Sequence, residues 1–257
     1  PADRFPADLT ATSGFENSAN SLFLQPITLE RYIGAAEAIA TAAWPDESIT
    51  AQQQGAWNLL LGELSELRDE VAVESVLTRF ARRAYRRPVE TDEIATLVAH
   101  YGRRVAQGAS SRGALRDVLQ VMLVSPSFLI RTERDSLRIG QPFRVSEWEL
   151  ASRLSYFLWA SMPDGELFRL AETGGLSDPD ILSTTVEMML RDPKANTLGS
   201  IFASQWLGFT DLGRVRPGQI DNPWATDTLI AAMKDESAML FNSVLKNNTP
   251  LDRLIDA

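Results

Sequence analysis

The stretch Val73–Glu93 reads VESVLTRFARRAYRRPVETDE, and it sets out both a helix and the point where that helix must stop. Val76, Leu77, Phe80, Ala81, Ala84 and Tyr85 recur at helical spacing. Arg79, Arg82, Arg83, Arg86 and Arg87 fall at i, i+3, i+4, i+7 and i+8, so they form a second stripe opposite the first. The spacing predicts an amphipathic helix from about Asp69 to Arg86, apolar on one side and basic on the other. Pro88 ends it, because proline has no N–H to donate and its ring clashes with the preceding turn. Thr91 is expected to cap the next helix, with Asp92 and Glu93 in its electropositive first turn.

The same period governs the chain on both sides. Downstream, Ile94, Leu97, Val98, Tyr101 and Val105 make one stripe that closes at Gly108, and Leu115, Val118, Leu119, Met122 and Leu123 make another that Pro126 bends or ends. Upstream, Leu29, Tyr32, Ile33, Ala36, Ile39 and Ala40 form an apolar stripe over 28–43, with Thr28 as its N-cap and Trp44-Pro45 as its stop. Ser146-Glu147-Trp148-Glu149 is a complete capping box that opens a helix carrying Leu150, Leu154, Phe157 and Leu158. Further helices are expected over 164–171 (ending at Gly174-Gly175), from a Ser177 cap to Leu190, over 195–207, and from Pro223 to about Lys246. Thr249-Pro250 opens one more, which the chain cuts off. The first 26 residues read as irregular chain, and 46–67 as helical in its second half.

No segment shows a period of two, so the fold class is all-α, with bundle-like or orthogonal helical modules after an irregular N-terminal segment. The modules are expected as 1–45, the end of an N-terminal module; 46–67, a linker or helix; 68–135, an arginine-rich module; and 143–257, a larger module truncated at its C-terminus. Gly140-Gln141-Pro142 is the boundary candidate between the last two. The chain starts Pro1-Ala2-Asp3-Arg4, without Met or an apolar leader, and is expected to be a piece of something larger.

Composition removes several chemistries. There is no cysteine, so this chain holds no disulfide, thiolate nucleophile, zinc knuckle or c-type haem attachment. The single histidine, His100, lies off the apolar stripe of its helix and reads as a surface residue. No run approaches the roughly 18 apolar residues of a membrane span. No Walker loop, dinucleotide glycine fingerprint, nucleophile elbow or calcium loop occurs. Asp164 with Glu166, and Asp178 with Asp180, stand at expected helix starts, where acids serve capping and dipole needs. The adjacent Asp235 and Glu236 diverge on a helix and make a poor catalytic dyad. Trp148, Trp159, Trp206 and Trp224 read as core or interface anchors.

The arginine run invites a nucleic-acid reading, but the chain carries a net charge of −9 and repels phosphate backbones. Its 22 arginines stand against only three lysines, a bias toward the fixed fork that pairs with carboxylates. Residues 68–135 hold 12 Arg and nine Asp or Glu, a local +3 that leaves −12 for the rest. The expectation is therefore that the arginine face pairs internally or meets a protein partner, and that nucleic acid is not a partner.

Taken in order, FPADLTATSGFENSANSLFLQPITLERYIGAAEAIA (Phe5–Ala40), FARRAYRRPVETDE (Phe80–Glu93), VMLVSPSFL (Val121–Leu129), ELASRLSYFLWASMPDGEL (Glu149–Leu167), MLRDPKA (Met189–Ala195) and FASQWLGFTDL (Phe202–Leu212) make a recognisable set. Together they resemble the large multidomain proteins of planctomycetes, myxobacteria and their relatives, in which consecutive domains of unknown function accompany a c-type cytochrome domain. The resemblance implies an exported protein, periplasmic or extracellular, with haem c in a neighbouring domain or partner and no cofactor in this chain. It carries over no catalytic residue. Two functions follow from it. One is a haem-free scaffold that docks a redox domain or partner subunit, with Arg79, Arg82, Arg83, Arg86 and Arg87 as contact surface. The other is part of an oxidoreductase, with a substrate cleft between helical modules and electrons leaving through a separate haem domain. The first is favoured, since no pair of residues has the spacing that proton transfer demands.

Overall fold

The computed structural model describes residues 26–43, 55, 70–131, 133, 143–213 and 226–254. Every regular element among them is helical, and none is a strand. The expectations for the first 25 residues, for most of 46–67, for Gly140-Gln141-Pro142, and for Pro223 and Trp224 lie outside the described residues. The described chain divides into two compact units, one ending before Phe143 and one beginning there.

The first unit contains α1 (Pro26–Ala43), α2 (Glu70–Tyr85), α3 (Thr91–Ala106), α4 (Ser111–Leu123) and the single turn α5 (Pro126–Leu129). Its core is built from the predicted stripes. Leu77, Ala81, Leu115, Val118 and Met122 are fully sealed, and Val73, Val76, Ile94, Leu97 and Val98 close around them. α2 packs on α3, and α3 on α4, through joints of four or five residues. Ser110, whose hydroxyl accepts from the Gly113 N–H at 3.1 Å, starts α4.

Three expectations for this unit are corrected. α1 begins at Pro26, which needs no N–H partner at the first helical position, so Thr28 lies inside the helix and does not cap it. α1 meets α4 through its small residues, burying Ala36 and Ala40, whereas Leu29, Ile33 and Ile39 of the supposed packing stripe are exposed. The cap of α3 is Glu90, one residue before Thr91; its N–H donates to Glu93 Oε2 at 3.0 Å.

The second unit runs through α6 (Glu147–Trp159), α7 (Gly165–Thr173), α8 (Pro179–Arg191), the short turn α9 (Ser204–Trp206) and α10 (Asp227–Lys246). Single 3-10 turns fill Gly175–Ser177, Pro193–Asn196, Phe209–Gly213 and Leu251–Leu254. Buried Ala151, Leu158, Trp159, Leu167, Leu170, Leu176, Met189, Leu198 and Phe241 form the core. The capping box at α6 is present in full: Ser146 Oγ accepts from the Glu149 N–H at 3.3 Å, and the Ser146 N–H donates to Glu149 Oε2 at 2.7 Å. Asp164 and Thr226 cap α7 and α10 through the side chain alone, accepting from the Leu167 and Leu229 N–H groups. Ser177 does not cap α8. Asp178 does, accepting from the Asp180 and Ile181 N–H groups, while the Ser177 hydroxyl turns to Glu147.

The expected helix over 195–207 is not α-helical through most of its length. Leu198–Ala203 is wound as a π-helix before the single turn α9. The predicted helix opened by Thr249-Pro250 is the 3-10 turn Leu251–Leu254. Phe157, expected on the apolar stripe of α6, is 64 % exposed.

Candidate functional site

The five arginines do not share one face, because α2 ends at Tyr85 and only Arg79, Arg82 and Arg83 lie on it. Arg86 takes a left-handed backbone, φ 59°, which reverses the chain two residues ahead of Pro88. A residue placed there points back over the unit and away from the line its helical spacing would give.

Arg86 is accordingly buried, with 7 % of its surface exposed. Its Nη2 donates to the carbonyl oxygens of Ser127 (3.0 Å) and Phe128 (2.9 Å), and its guanidinium lies 6.0 Å from the centre of the Phe128 ring. These carbonyls belong to the end of α5, where the last turn of a helix leaves acceptors without partners. One cation thus ties the end of α2 to α5, more than 40 positions further along the chain.

Arg87 forms a two-pronged pair with Glu93: Nη1 donates to Oε2 at 2.9 Å and Nη2 to Oε1 at 2.8 Å. The same Nη2 reaches Ser127 Oγ at 3.3 Å, and the guanidinium stands 5.7 Å from the Tyr85 ring centre. The hydrogen bonds from Arg87 hold the Glu93 carboxyl below the usual carboxylate range, against the opposing effect of burial. The bond to Glu93 raises the Arg87 guanidinium in return. Burial pushes the Tyr85 phenol up, with a Ser125 hydrogen bond working the other way.

The sign of the pH effect follows from that lowered carboxyl. A group whose folded value is depressed stabilises fully above its unfolded value, near 4.3 for glutamate, and loses that contribution as pH falls through the folded value. Glu93→Gln should therefore cost about 1 kcal/mol at neutral pH, discounted because both partners are about one-third exposed. It should also flatten the stability loss below about pH 4. Urea titrations at pH 7 and pH 3, on the chain and the variant, check both points; an equal cost at the two pH values would count against this pairing.

The remaining arginines differ from these two. Arg79 is exposed, and Arg82 and Arg83 are half-buried. Arg82 is engaged in a contact of its own. The Arg83 Nε–H is buried without an acceptor among the described residues. The predicted pairing of the run with the acidic remainder of the chain is not what Arg86 and Arg87 do, since their partners lie within the first unit. Sequence reasoning missed Glu93 as the partner of Arg87, having assigned it only to the helix dipole, although a Glu six residues past an arginine across a proline turn is a usable signal. It had no signal for the Ser127 and Phe128 carbonyls, which carry no side-chain identity.

The other candidates stay apart. His100 is half-buried on α3, and no group of three metal-ligating side chains occurs among the described residues. Glu166 is exposed and paired with Arg169, while Asp164 and Asp178 are spent as caps. Trp159 is buried and donates to the Met189 carbonyl at 2.9 Å under the Lys194 ammonium, 4.2 Å from its ring. Trp148 packs on Phe168, and Trp206 is about half exposed while stacking on Phe202. Among the described residues no helix is long and apolar enough to cross a membrane.

Three family models match this chain, one after another. Residues 1–45 match PSD3, a protein of unknown function (DUF1587); residues 72–133 match PSD5 (DUF1595); residues 145–257 match PSD4 (DUF1592). The run of consecutive domains of unknown function that the resemblance implied is thus present. The arginine joint, with both its anchors in α5, falls wholly within the DUF1595 match. No curated protein and no solved structure matches the chain at a significant level.

Proposed function

We propose that this chain is a helical scaffold region of a larger exported, cytochrome c-associated protein, and that it docks a redox domain or a partner subunit. The observation that carries this reading is the division of labour in the arginine run. Arg86 and Arg87 fix the turn between α2 and α3 and tie it to α5, which makes α2 a rigid mount. Arg79, Arg82 and Arg83 ride on that mount nearer the surface. A rigid element presenting cations is suited to steering and holding a charged partner. The consecutive DUF1587, DUF1595 and DUF1592 matches support the setting, with haem c held by a neighbouring domain or partner, in the periplasm or outside the cell.

Purification of the full-length protein from its native host, together with whatever accompanies it, tests this. A reduced-minus-oxidised spectrum should show c-type haem in the same species that contains this chain, and mass spectrometry should find a C-x-x-C-H peptide there. An intact protein whose complexes contain no c-type haem would overturn the reading.

A further inference from the structure

Arg79 and Arg83 stand one turn apart on α2, and like charges at that spacing repel. Neither guanidinium makes a hydrogen bond or ion pair among the described residues, although the Arg82, Arg86 and Arg87 side chains beside them are all engaged. The Arg83 Nε–H is moreover a buried donor with no acceptor there, the kind of group that folded proteins rarely leave unused. We propose that Arg79 and Arg83 form a docking site for two carboxylates of an acidic protein partner, spaced one helical turn apart. That the partner is a protein rests on the scaffold reading above; the carboxylate chemistry rests on the arginines themselves.

A guanidinium binds a carboxylate side-on, donating from Nε–H and one Nη–H to its two oxygens, in a two-pronged geometry that lysine cannot reproduce. Arg83 has that edge unassigned. The Nε is sealed in a residue that is only half-buried, so the fork must turn outward to meet the carboxylate, a side-chain rotamer change. Arg79, at i−4, then meets a second carboxylate about 6 Å away, the separation of two acids at i and i+4 on a partner helix. A nucleic-acid backbone fits less well. Its binding grows with the number of phosphates neutralised, two uncommitted cations are few for that, and the −9 net charge of the chain opposes it.

The probe is a labelled helical peptide carrying Glu at i and i+4, with a Gln-for-Glu version as control. Binding to the 257-residue chain is followed by fluorescence anisotropy at low salt, and located by the arginine Nε–H signals in a 1H–15N spectrum. The Glu peptide should bind saturably and shift the Arg79 and Arg83 signals, and the Gln peptide should do neither. Arg83→Lys, which keeps the charge, should weaken binding roughly five-fold or more, and Arg79→Ala a few-fold. Salt near 0.3 M should remove most of the binding. An unchanged affinity in Arg83→Lys, a shift that never saturates, or tighter binding of single-stranded DNA or inorganic phosphate would each overturn the proposal. Melting curves confirm that both variants are folded. Haem content of the native complex judges the scaffold reading independently, so failure of one is distinguishable from failure of the other.

Discussion

Arg86→Ala should destabilise the first unit by about 2–3 kcal/mol, the cost of stripping a charged donor from two carbonyls and opening space beneath the Phe128 ring. The left-handed backbone allows a sharper test. Alanine keeps the strain of a positive φ at position 86, whereas glycine relieves it. Arg86→Gly should therefore be about 0.5–1 kcal/mol more stable than Arg86→Ala, while remaining well below the parent chain. That ordering is the reverse of a helical site, where glycine is the worse of the two by a similar margin. Urea unfolding followed by far-UV circular dichroism reads all three. If alanine proved the better replacement, residue 86 would be helical and the arginine stripe would continue past Tyr85. If both cost less than about 0.5 kcal/mol, the tie to α5 would carry no weight.

The consequences for function run through rigidity. Loss of Arg86 removes two of the bonds that tie the end of α2 to α5, leaves the one from Arg87 to Ser127, and does not touch Arg79 or Arg83. The same variant should then weaken partner binding only to the extent that the mount loosens. A binding loss that tracks stability, and not charge, is the signature of a positioning residue.

How far the sequence discloses such a site depends on what kind of group supplies each contact. Ser146 and Glu149 were legible because both halves of the capping box are side chains at fixed spacing, and the structure places both bonds. The helices and most of the core of the first unit were legible through period alone. Arg86 was not, because a helical wheel assumes the helix continues, and nothing in a wheel registers that Pro88 turns the chain two residues earlier. Its partners are backbone carbonyls, which every residue possesses. α1 misled for a related reason: Leu29, Ile33 and Ile39 are the larger residues on its wheel, but Ala36 and Ala40 make the contact, since small side chains let the helices approach. The π-helix at Leu198–Ala203 left no trace in the period, because a wider turn shifts the register only after one residue has been inserted.

That π segment is the place where a single methyl group should do the most damage. A Cβ at Gly199 would sit 2.5 Å from the Ala238 carbonyl oxygen and 2.6 Å from Asn242 Nδ2, both on α10. Neither distance is tolerable, and the first involves backbone, which cannot swing aside. Asn242 meanwhile serves both sides of the joint: its Oδ1 accepts the Gly199 N–H at 3.1 Å and its Nδ2 donates to the Asn196 carbonyl at 3.1 Å. Lys246 adds a bond to Asn196 Oδ1 at 2.7 Å. Gly199→Ala must push α10 off this clamp and disturb Leu198, Ala203 and Phe241 in the core behind it. The expected loss is about 3 kcal/mol or more, a Tm decrease on the order of 10 °C. Asn242→Ala alone should cost about 1–2 kcal/mol through its lost hydrogen bonds. The double variant separates the two causes. Removing the Asn242 side chain clears one obstruction but leaves the Ala238 carbonyl in place, so Gly199→Ala should remain severe in the Asn242→Ala background. Recovery of the parent stability there would mean that the side chain, and not the close approach of the two backbones, is what requires glycine at position 199.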